Sequence, residues 1–148
     1  MSASRTIIEH ASASVMVATK GRGFYRLGNA ISRRLKEMGA GDGVATVFCT
    51  HTSASLCIQE NADPTVLEDL AGALSGLAPE DAHYRHDTEG PDDMPAHIKT
   101  LFTATSLSLP VRGGKPALGI WQEVYLIEHR DGRHERRIEV DFIGGFAR

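Results

Sequence analysis

A neutral imidazole is both the commonest protein ligand for transition metals and the side chain best placed to move protons near neutral pH. Three of the chain's seven histidines stand among other polar residues. His51 lies in Thr50-His51-Thr52-Ser53, where an apolar run gives way to hydroxyls. Its ring should emerge at a strand end, with Thr52 and Ser53 free to meet an anion or orient the imidazole. His86 lies in Tyr84-Arg85-His86-Asp87, inside an acidic stretch, and His97 follows Asp92-Asp93-Met94-Pro95-Ala96. Three histidines from three segments are compatible with a three-imidazole site that keeps one position open, as catalytic zinc does. The interval from His86 to His97 fits no short metal motif, so only folding could bring these rings together. Two of them also have a plainer reading: a hydrogen-bonded structural residue for His51, a solvated loop for His86. Glu60, in Gln59-Glu60-Asn61-Ala62-Asp63, is a candidate general acid or base and equally a helix-entry acid that suits the macrodipole. Candidates for catalysis are therefore His51, Glu60, His86 and His97, and for metal ligation the three histidines. His10, His83, His129 and His134 lack a supporting neighbourhood and read as surface or structural residues.

The elements that must position these groups follow from local pattern. Ile7 to Val17, rich in small and β-branched residues, predicts a strand interrupted near Ser12. Leu27, Ile31, Leu35 and Met38 recur at helical spacing, with Gly39 suited to the C′ position. Asp42-Gly43 predicts a turn into a strand over Val44–Cys49, and Ser55–Gln59 a second short strand. Asp63-Pro64 predicts an N-cap with proline at the first helical position. Val66, Leu67, Leu70, Ala71, Leu74 and Leu77 form the apolar stripe of that helix, which Pro79 ends. Glu80 to Asp93 is nearly devoid of apolar residues and reads as a loop, solvated or functional. Pro95 should open a short helix bearing His97 and Lys99. Beyond it, Ser106–Val111, a Gly113-Gly114 turn, a long strand Leu118–His129 containing Gly119-Ile120-Trp121-Gln122, and a strand Glu135–Ile143 follow. Arg130-Asp131-Gly132-Arg133 should join the last two as a hairpin. Trp121 reads as core or subunit interface.

The 148 residues have the size of one domain, able to bury a core without disulfide staples. Cys49 and Cys57 match no zinc spacing and read as small buried hydrophobes in a reducing cytosol. A formal net charge of −3 leaves no basic excess for counterion release, which argues against nucleic acid as partner. No window approaches a membrane span, and Met1-Ser2-Ala3-Ser4-Arg5 lacks the apolar core of a signal peptide, so a cytoplasmic location is expected.

Taken in order, these clusters resemble the YjbQ-like (UPF0047) family, to which secondary thiamine-phosphate synthase activity is ascribed. The matching text is His51-Thr-Ser-Ala-Ser, Glu60-Asn61-Ala-Asp63-Pro64, Tyr84-Arg-His86-Asp87, Glu89-Gly-Pro-Asp92-Asp93-Met-Pro-Ala-His97-Ile-Lys99, Leu109-Pro-Val, Gly119-Ile-Trp121-Gln122 and Arg136-Arg137-Ile. It spans nearly the whole chain. The resemblance implies a single α+β domain over residues 1–148, a mixed β-sandwich with a few helices, usually homotrimeric, with the polar motifs in a cleft near subunit contacts. It places the family's histidines on His51, His86 and His97 and its acids on Glu60 and Asp63. Gln59 departs from the family's Asn, and Ala104 from its Gly.

The implied reaction joins hydroxymethylpyrimidine pyrophosphate to a thiazole phosphate with loss of pyrophosphate. Such a transfer needs a divalent cation or basic side chains at the leaving group. Lys99, Arg112 and Arg137 are candidate phosphate contacts, and Thr52, Ser53, Asn61 and Gln122 complete the expected substrate-binding set. Three imidazoles suit Zn²⁺ or another transition metal better than Mg²⁺. The alternatives are a metal-dependent hydrolase or lyase acting on a small phosphorylated metabolite, and a non-catalytic metal- or ligand-binding trimer.

Overall fold

The computed structural model describes residues 8–147. The readings of residues 1–5 and of a strand start at Ile7 lie outside them. In chain order the elements are β1 (Glu9–Thr19), β2 (Gly23–Arg26), α1 (Gly28–Met38), β3 (Ala40–Cys49), β4 (Ala54–Glu60), α2 (Pro64–Leu77), α3 (Asp93–Phe102), β5 (Ser106–Arg112), β6 (Lys115–Pro116), β7 (Gln122–Glu128) and β8 (His134–Phe146). The strands form a five-stranded sheet, β1-β8-β3-β5-β6, and a three-stranded sheet, β2-β7-β4. All pairings between these strands are antiparallel.

Alternation along each strand puts every second side chain on one face. Ala45, Val47 and Cys49 of β3, Ile138, Val140 and Phe142 of β8, and Leu109 and Val111 of β5 point inward from the large sheet. They meet Leu56, Val124 and Leu126 of the small sheet in one core. The apolar stripe of α1 closes it, with Ile31 and Leu35 fully buried, each burial stabilising by about 1.5–3 kcal/mol. Gly39 ends α1 at φ 73°, its N–H reaching the carbonyls of Leu35 and Lys36 as the sequence predicts. The α+β architecture of two packed sheets and three helices is thus the one expected. No helix among the described residues is long and apolar enough to cross a membrane.

Four local expectations change. β1 runs unbroken to Thr19, with Ser12 paired to Asp141. Asp42-Gly43 is not a turn: both lie within β3, where the register against β8 slips between Ala40 and Gly43. A Cβ on Gly43 would fall 2.8 Å from the Gly144 Cα, so the glycine serves close backbone approach at a bulge. β7 begins at Gln122 rather than Leu118, because Gln122 N–H bonds the Gly119 carbonyl (3.0 Å) and its Oε1 accepts from Gly119 N–H (2.7 Å), turning the chain there. Trp121 is consequently 61% exposed, outside the core. Finally, β7 and β8 form no hairpin: one belongs to the small sheet and the other to the large. The segment between them crosses from sheet to sheet.

Helix α2 starts as predicted, with Asp63 accepting from Thr65 N–H and Pro64 at the first position. Its apolar stripe, however, contains no fully buried residue. Met16, Val44, Phe48 and Ile143 are likewise exposed, and their alternation relative to the inward set places them on the outer face of the large sheet.

Candidate metal centre

Between α2 and α3 the polar loop carries His86 and Glu89. The first turn of α3 carries Asp93 and, four residues on, His97 on the same helical face. His86 Nε2 lies 2.7 Å from Asp93 Oδ2 and 3.2 Å from Glu89 Oε2, and His97 Nε2 lies 3.3 Å from the same Asp93 oxygen. One ligand atom from each of these four residues falls within 4.8 Å of the other three.

Arg130 braces this group from the sheet-crossing segment. Its Nη1 donates to Asp93 Oδ1 (2.8 Å), its Nε to Asp92 Oδ2 (2.9 Å) and its Nη2 to the Glu89 carbonyl (2.8 Å). Asp131 N–H adds a bond to Asp92 Oδ2 (2.9 Å). Asp93 is only 2% exposed. One of its oxygens is therefore fixed by guanidinium while the other faces two imidazoles, the outer-sphere orientation that ligating carboxylates commonly have. Gly90 allows the loop to close at φ 107°, and a Cβ there would lie 3.0 Å from Asp92 Oδ1. A side chain would be strained at that φ.

The charges are mutually supporting. The hydrogen bond to Asp93 foremost, with the charges of Asp93 and Glu89, raises the His86 pKa above its ordinary value. Burial opposes the charge of Asp93, but the hydrogen bond with His86 and the Arg130 charge outweigh it and hold the carboxyl low. Asp92 shows the same balance, with burial overcome by Arg130 and the Asp131 amide. The upward direction of the His86 pKa marks a place where positive charge is electrostatically favoured. Two imidazole nitrogens and two carboxylate oxygens are a donor set that zinc accepts.

The other sequence-predicted residues lie elsewhere. His51 is outside the quartet: its Nε2 accepts from Arg137 N–H at 2.8 Å. Within one chain the expected three-imidazole set is therefore two imidazoles and two carboxylates. Burial first, then the charge of Arg136, lowers the His51 pKa. The Thr52 carbonyl accepts from Thr100 on α3 (3.1 Å), and Ser53 Oγ accepts from Arg136 (3.1 Å). The Arg137 side chain pairs with Glu139. Glu60, Asn61 and Gln122 gather at another cleft of about 560 Å³ beside Trp121. Asn61 Nδ2 donates there to the Ile120 carbonyl (3.1 Å), and Glu60 Oε2 accepts from Asp63 N–H (3.2 Å). Six strand steps of β4 separate Glu60 from Ala54, about 20 Å. Ala54 adjoins Ser53, whose carbonyl holds His129 N–H (3.3 Å) just before Arg130. Glu60 is thus remote from the quartet of its own chain. Arg112 sits at the far end of β5, its Nη1 on the Val111 carbonyl (2.9 Å). Lys99 is buried on α3, and burial first, then the charge of Arg22, lowers its pKa.

Sequence reasoning assigned no role to Glu89, Asp93 or Arg130, and read His129 as a surface or structural residue. Asp93 and His97 stand four apart at a helix start, a spacing that marks a shared face and was legible. Arg130 gave no signal beyond turn chemistry. His129 is 2% exposed, its Nε2 2.8 Å from Ser55 Oγ, and desolvation above all pushes its pKa down to about 4.

The family model described as UPF0047 protein YjbQ-like matches residues 13–145. A UPF0047 protein of Synechocystis sp. is 47% identical over 131 residues, covering 88% of this chain and 89% of that protein. The UPF0047 protein YjbQ of Escherichia coli O157:H7 is 40% identical over 126 residues, covering 84% and 91% respectively. Among solved structures, a conserved hypothetical protein from Thermus thermophilus superposes with TM-score 0.77 at 36% identity, over 86% of this chain and 97% of that one. A YbjQ-like protein from Sulfolobus solfataricus shares the fold, with TM-score 0.84 at 22% identity over 94% of this chain and 100% of its own. With matches of this extent, the chain belongs to the YjbQ-like (UPF0047) family.

Proposed function

We propose that this protein is a metal-dependent enzyme acting on a small phosphorylated metabolite, with Zn²⁺ as its divalent ion. His86, His97 and Asp93 are the core ligands and Glu89 the exchangeable fourth. The observation that carries this reading is the convergence of four donor atoms within 4.8 Å of one another. The exposures of the donors differ in a way that suits catalysis. Asp93 is buried and locked by Arg130, whereas the Glu89 side chain is 60% exposed on the loop. Release of Glu89 would leave three protein ligands and an open position, the pattern of catalytic rather than structural zinc. A bound ion at such a site supplies Lewis-acid stabilisation of developing negative charge.

The chain's own residues shape the approach. A cavity of about 280 Å³ lies against His86, walled by His83, Tyr84, Gly90 and Pro91. Tyr84 OH donates to the Pro79 carbonyl (2.8 Å), which holds that wall. The reaction favoured by the sequence resemblance is condensation of hydroxymethylpyrimidine pyrophosphate with thiazole phosphate; metal-assisted hydrolysis of a related phosphorylated metabolite is the alternative. Arg112, Arg137 and Lys99 do not line this cavity, so a homotrimer, which the resemblance implies, would have to bring basic groups from neighbouring copies. Association would also cover the exposed apolar side chains of the large sheet and the half-buried stripe of α2.

The test combines metal analysis and turnover. Purified protein should retain about one equivalent of Zn²⁺, lose it in Asp93→Asn, and keep it with weakened affinity in Glu89→Gln. Formation of thiamine phosphate from the two precursors, lost when the metal is stripped and restored when Zn²⁺ is returned, selects the transferase reading. Release of inorganic phosphate from either precursor alone selects hydrolysis. A protein that retains metal but turns over neither would favour a binding role, with Glu89 as a permanent ligand. Failure to retain any transition metal would overturn the centre itself.

A further inference from the structure

A cleft of about 580 Å³ lies at the C-terminal end of α1, against the turn between β5 and β6. It shares no residue with the metal centre. Asn29, Ser32, Arg33 and Lys36 form one wall. Their spacing of three, four and seven residues puts them on one helical face, turned away from the stripe of Leu27, Ile31 and Leu35 that enters the core. Lys115 stands in the facing wall, carried by the Gly113-Gly114 turn. Both glycines have positive φ, 55° and 76°, and a Cβ on Gly114 would fall 2.6 Å from the Ala40 carbonyl oxygen. Gly114 N–H donates to the Gly41 carbonyl (3.0 Å). The turn is thus pinned to the start of β3, and the backbone of Lys115 is held beside α1.

Both walls are basic and neither carries a carboxylate. Among the described residues, none of the three cations ends in an ion pair or a side-chain hydrogen bond. The adjoining acids are engaged: Glu37 pairs with Arg34 (2.7 Å), and Asp42 Oδ1 accepts from Gly113 N–H (2.7 Å). The last carbonyls of α1, on Leu35 and Lys36, accept from Gly39 N–H. Arg33, Lys36 and Lys115 therefore concentrate positive charge in one concavity of a chain whose formal net charge is −3. Each cation alone is well hydrated; what the cleft adds is convergence, since concave walls of one sign focus the field on whatever enters.

We propose that this cleft binds a small organic diphosphate, with its phosphates on Arg33, Lys36 and Lys115 and its organic part against Ala40, Ala147 and the alkyl stems of the cations. A diphosphate ester carries about three negative charges at neutral pH, because its terminal phosphate ionises twice with a second pKa near 6. That matches the three cations, whereas a monocarboxylate would leave two unanswered. The planar Arg33 guanidinium suits a phosphate in two-point contact. The volume is roughly that of twenty water molecules, more than two phosphates fill, which leaves room for the organic part. The proposal does not rest on the metal centre.

Amide chemical-shift titration of the ¹⁵N-labelled protein with ADP, in EDTA and at constant ionic strength, tests the cleft with the metal centre stripped. Expected are saturable shifts at Arg33, Gly39, Gly114 and Lys115, with inorganic pyrophosphate and AMP each binding severalfold more weakly. The double variant Lys36→Gln/Lys115→Gln removes two exposed charges without touching the core; far-UV circular dichroism checks that it folds. Its affinity for ADP should fall at least about tenfold, through the loss of two charge-assisted contacts. Lys20→Gln/Arg133→Gln makes the same change of net charge outside the cleft and should leave the affinity unaltered. Absence of saturable shifts in the wild type would overturn the assignment. So would AMP or pyrophosphate binding as tight as ADP, undiminished affinity in the cleft variant, or an equal loss in the variant outside it.

Discussion

Acidification from pH 7 to pH 5 should cost the native state about 2 kcal/mol through His129 alone. His129 is 2% exposed, and burial, reinforced by the charges of Lys99 and Arg136, lowers its pKa from an ordinary 6.5 to about 4. In the unfolded chain the same imidazole takes up a proton below about 6.5. Between these values the unfolded state binds one more proton than the native state, so unfolding free energy falls as pH falls. This group's contribution is complete above pH 6.5 and lost through the interval down to about 4, for a full difference of about 3 kcal/mol at 1.36 kcal/mol per pKa unit. Stopping at pH 5 realises about 2 kcal/mol of it and stays above the ordinary range of the carboxyls of Asp92, Asp93 and Glu128. The comparison is with His129→Gln, which cannot titrate but can still bond Ser55. Urea unfolding followed by far-UV circular dichroism is the assay, at fixed protein concentration because association would shift the midpoint. Trp121 is too exposed to report on the core. His86, whose pKa is raised, acts in the opposite direction, and it cancels in the difference between the two proteins. If wild type and His129→Gln lose the same stability between pH 7 and 5, His129 takes up its proton in the native state and the argument from burial is wrong.

Two further outcomes test the framework around the site. Arg130→Met should destabilise the protein by about 3–5 kcal/mol, because it leaves the buried Asp93 and its neighbour Asp92 without their cation; thermal unfolding of the metal-free protein measures it, and a change below about 1 kcal/mol would show that the clamp is not structural. Asp63→Ala should cost about 1 kcal/mol by removing the acceptor for Thr65 N–H at the start of α2, read from the urea midpoint, with Asp63→Asn or Asp63→Ser restoring most of it.

What was legible in the sequence was local. Leu27, Ile31 and Leu35 announce α1 because a helix repeats every 3.6 residues and a stripe records which face is buried. Asp63-Pro64 and Gly113-Gly114 state backbone geometries that those residue types prefer, and the structure adopts them. The errors arise where a local signal serves a long-range contact. Gly43 reads as a turn because glycine usually marks one, yet it is needed where the chain presses on Gly144. Arg130-Asp131-Gly132-Arg133 has hairpin chemistry, but Arg130 and the Asp131 amide are bound to Asp92, from a loop some forty residues earlier. No window of sequence contains that information. Within one chain His51 stands apart from the other two histidines for the same reason, since the Arg137 amide that its Nε2 accepts comes from a strand 86 positions away. His86 and His97 were candidates because of their polar neighbours, and two of those neighbours, Glu89 and Asp93, set their carboxylates beside the imidazoles rather than in solvent alone.

The arrangement of donors explains why loop and helix both contribute. Asp93 and His97 are fixed by α3, and Asp93 is fixed again by Arg130 from the opposite side. His86 and Glu89 come from a segment with little apolar content of its own to hold it. Arg130 supplies the missing restraint there as well, through the Glu89 carbonyl. The backbone of Glu89 is thereby held while its side chain stays exposed. A carboxylate so placed can leave and return without moving the other three donors, whereas loss of Arg130 would release Asp93 and the Glu89 backbone together. The two perturbations are therefore expected to differ in kind. Glu89→Gln should weaken ion binding without altering stability of the metal-free protein, and Arg130→Met should damage both. Equal damage from the two would mean that the loop, not the guanidinium, organises the centre.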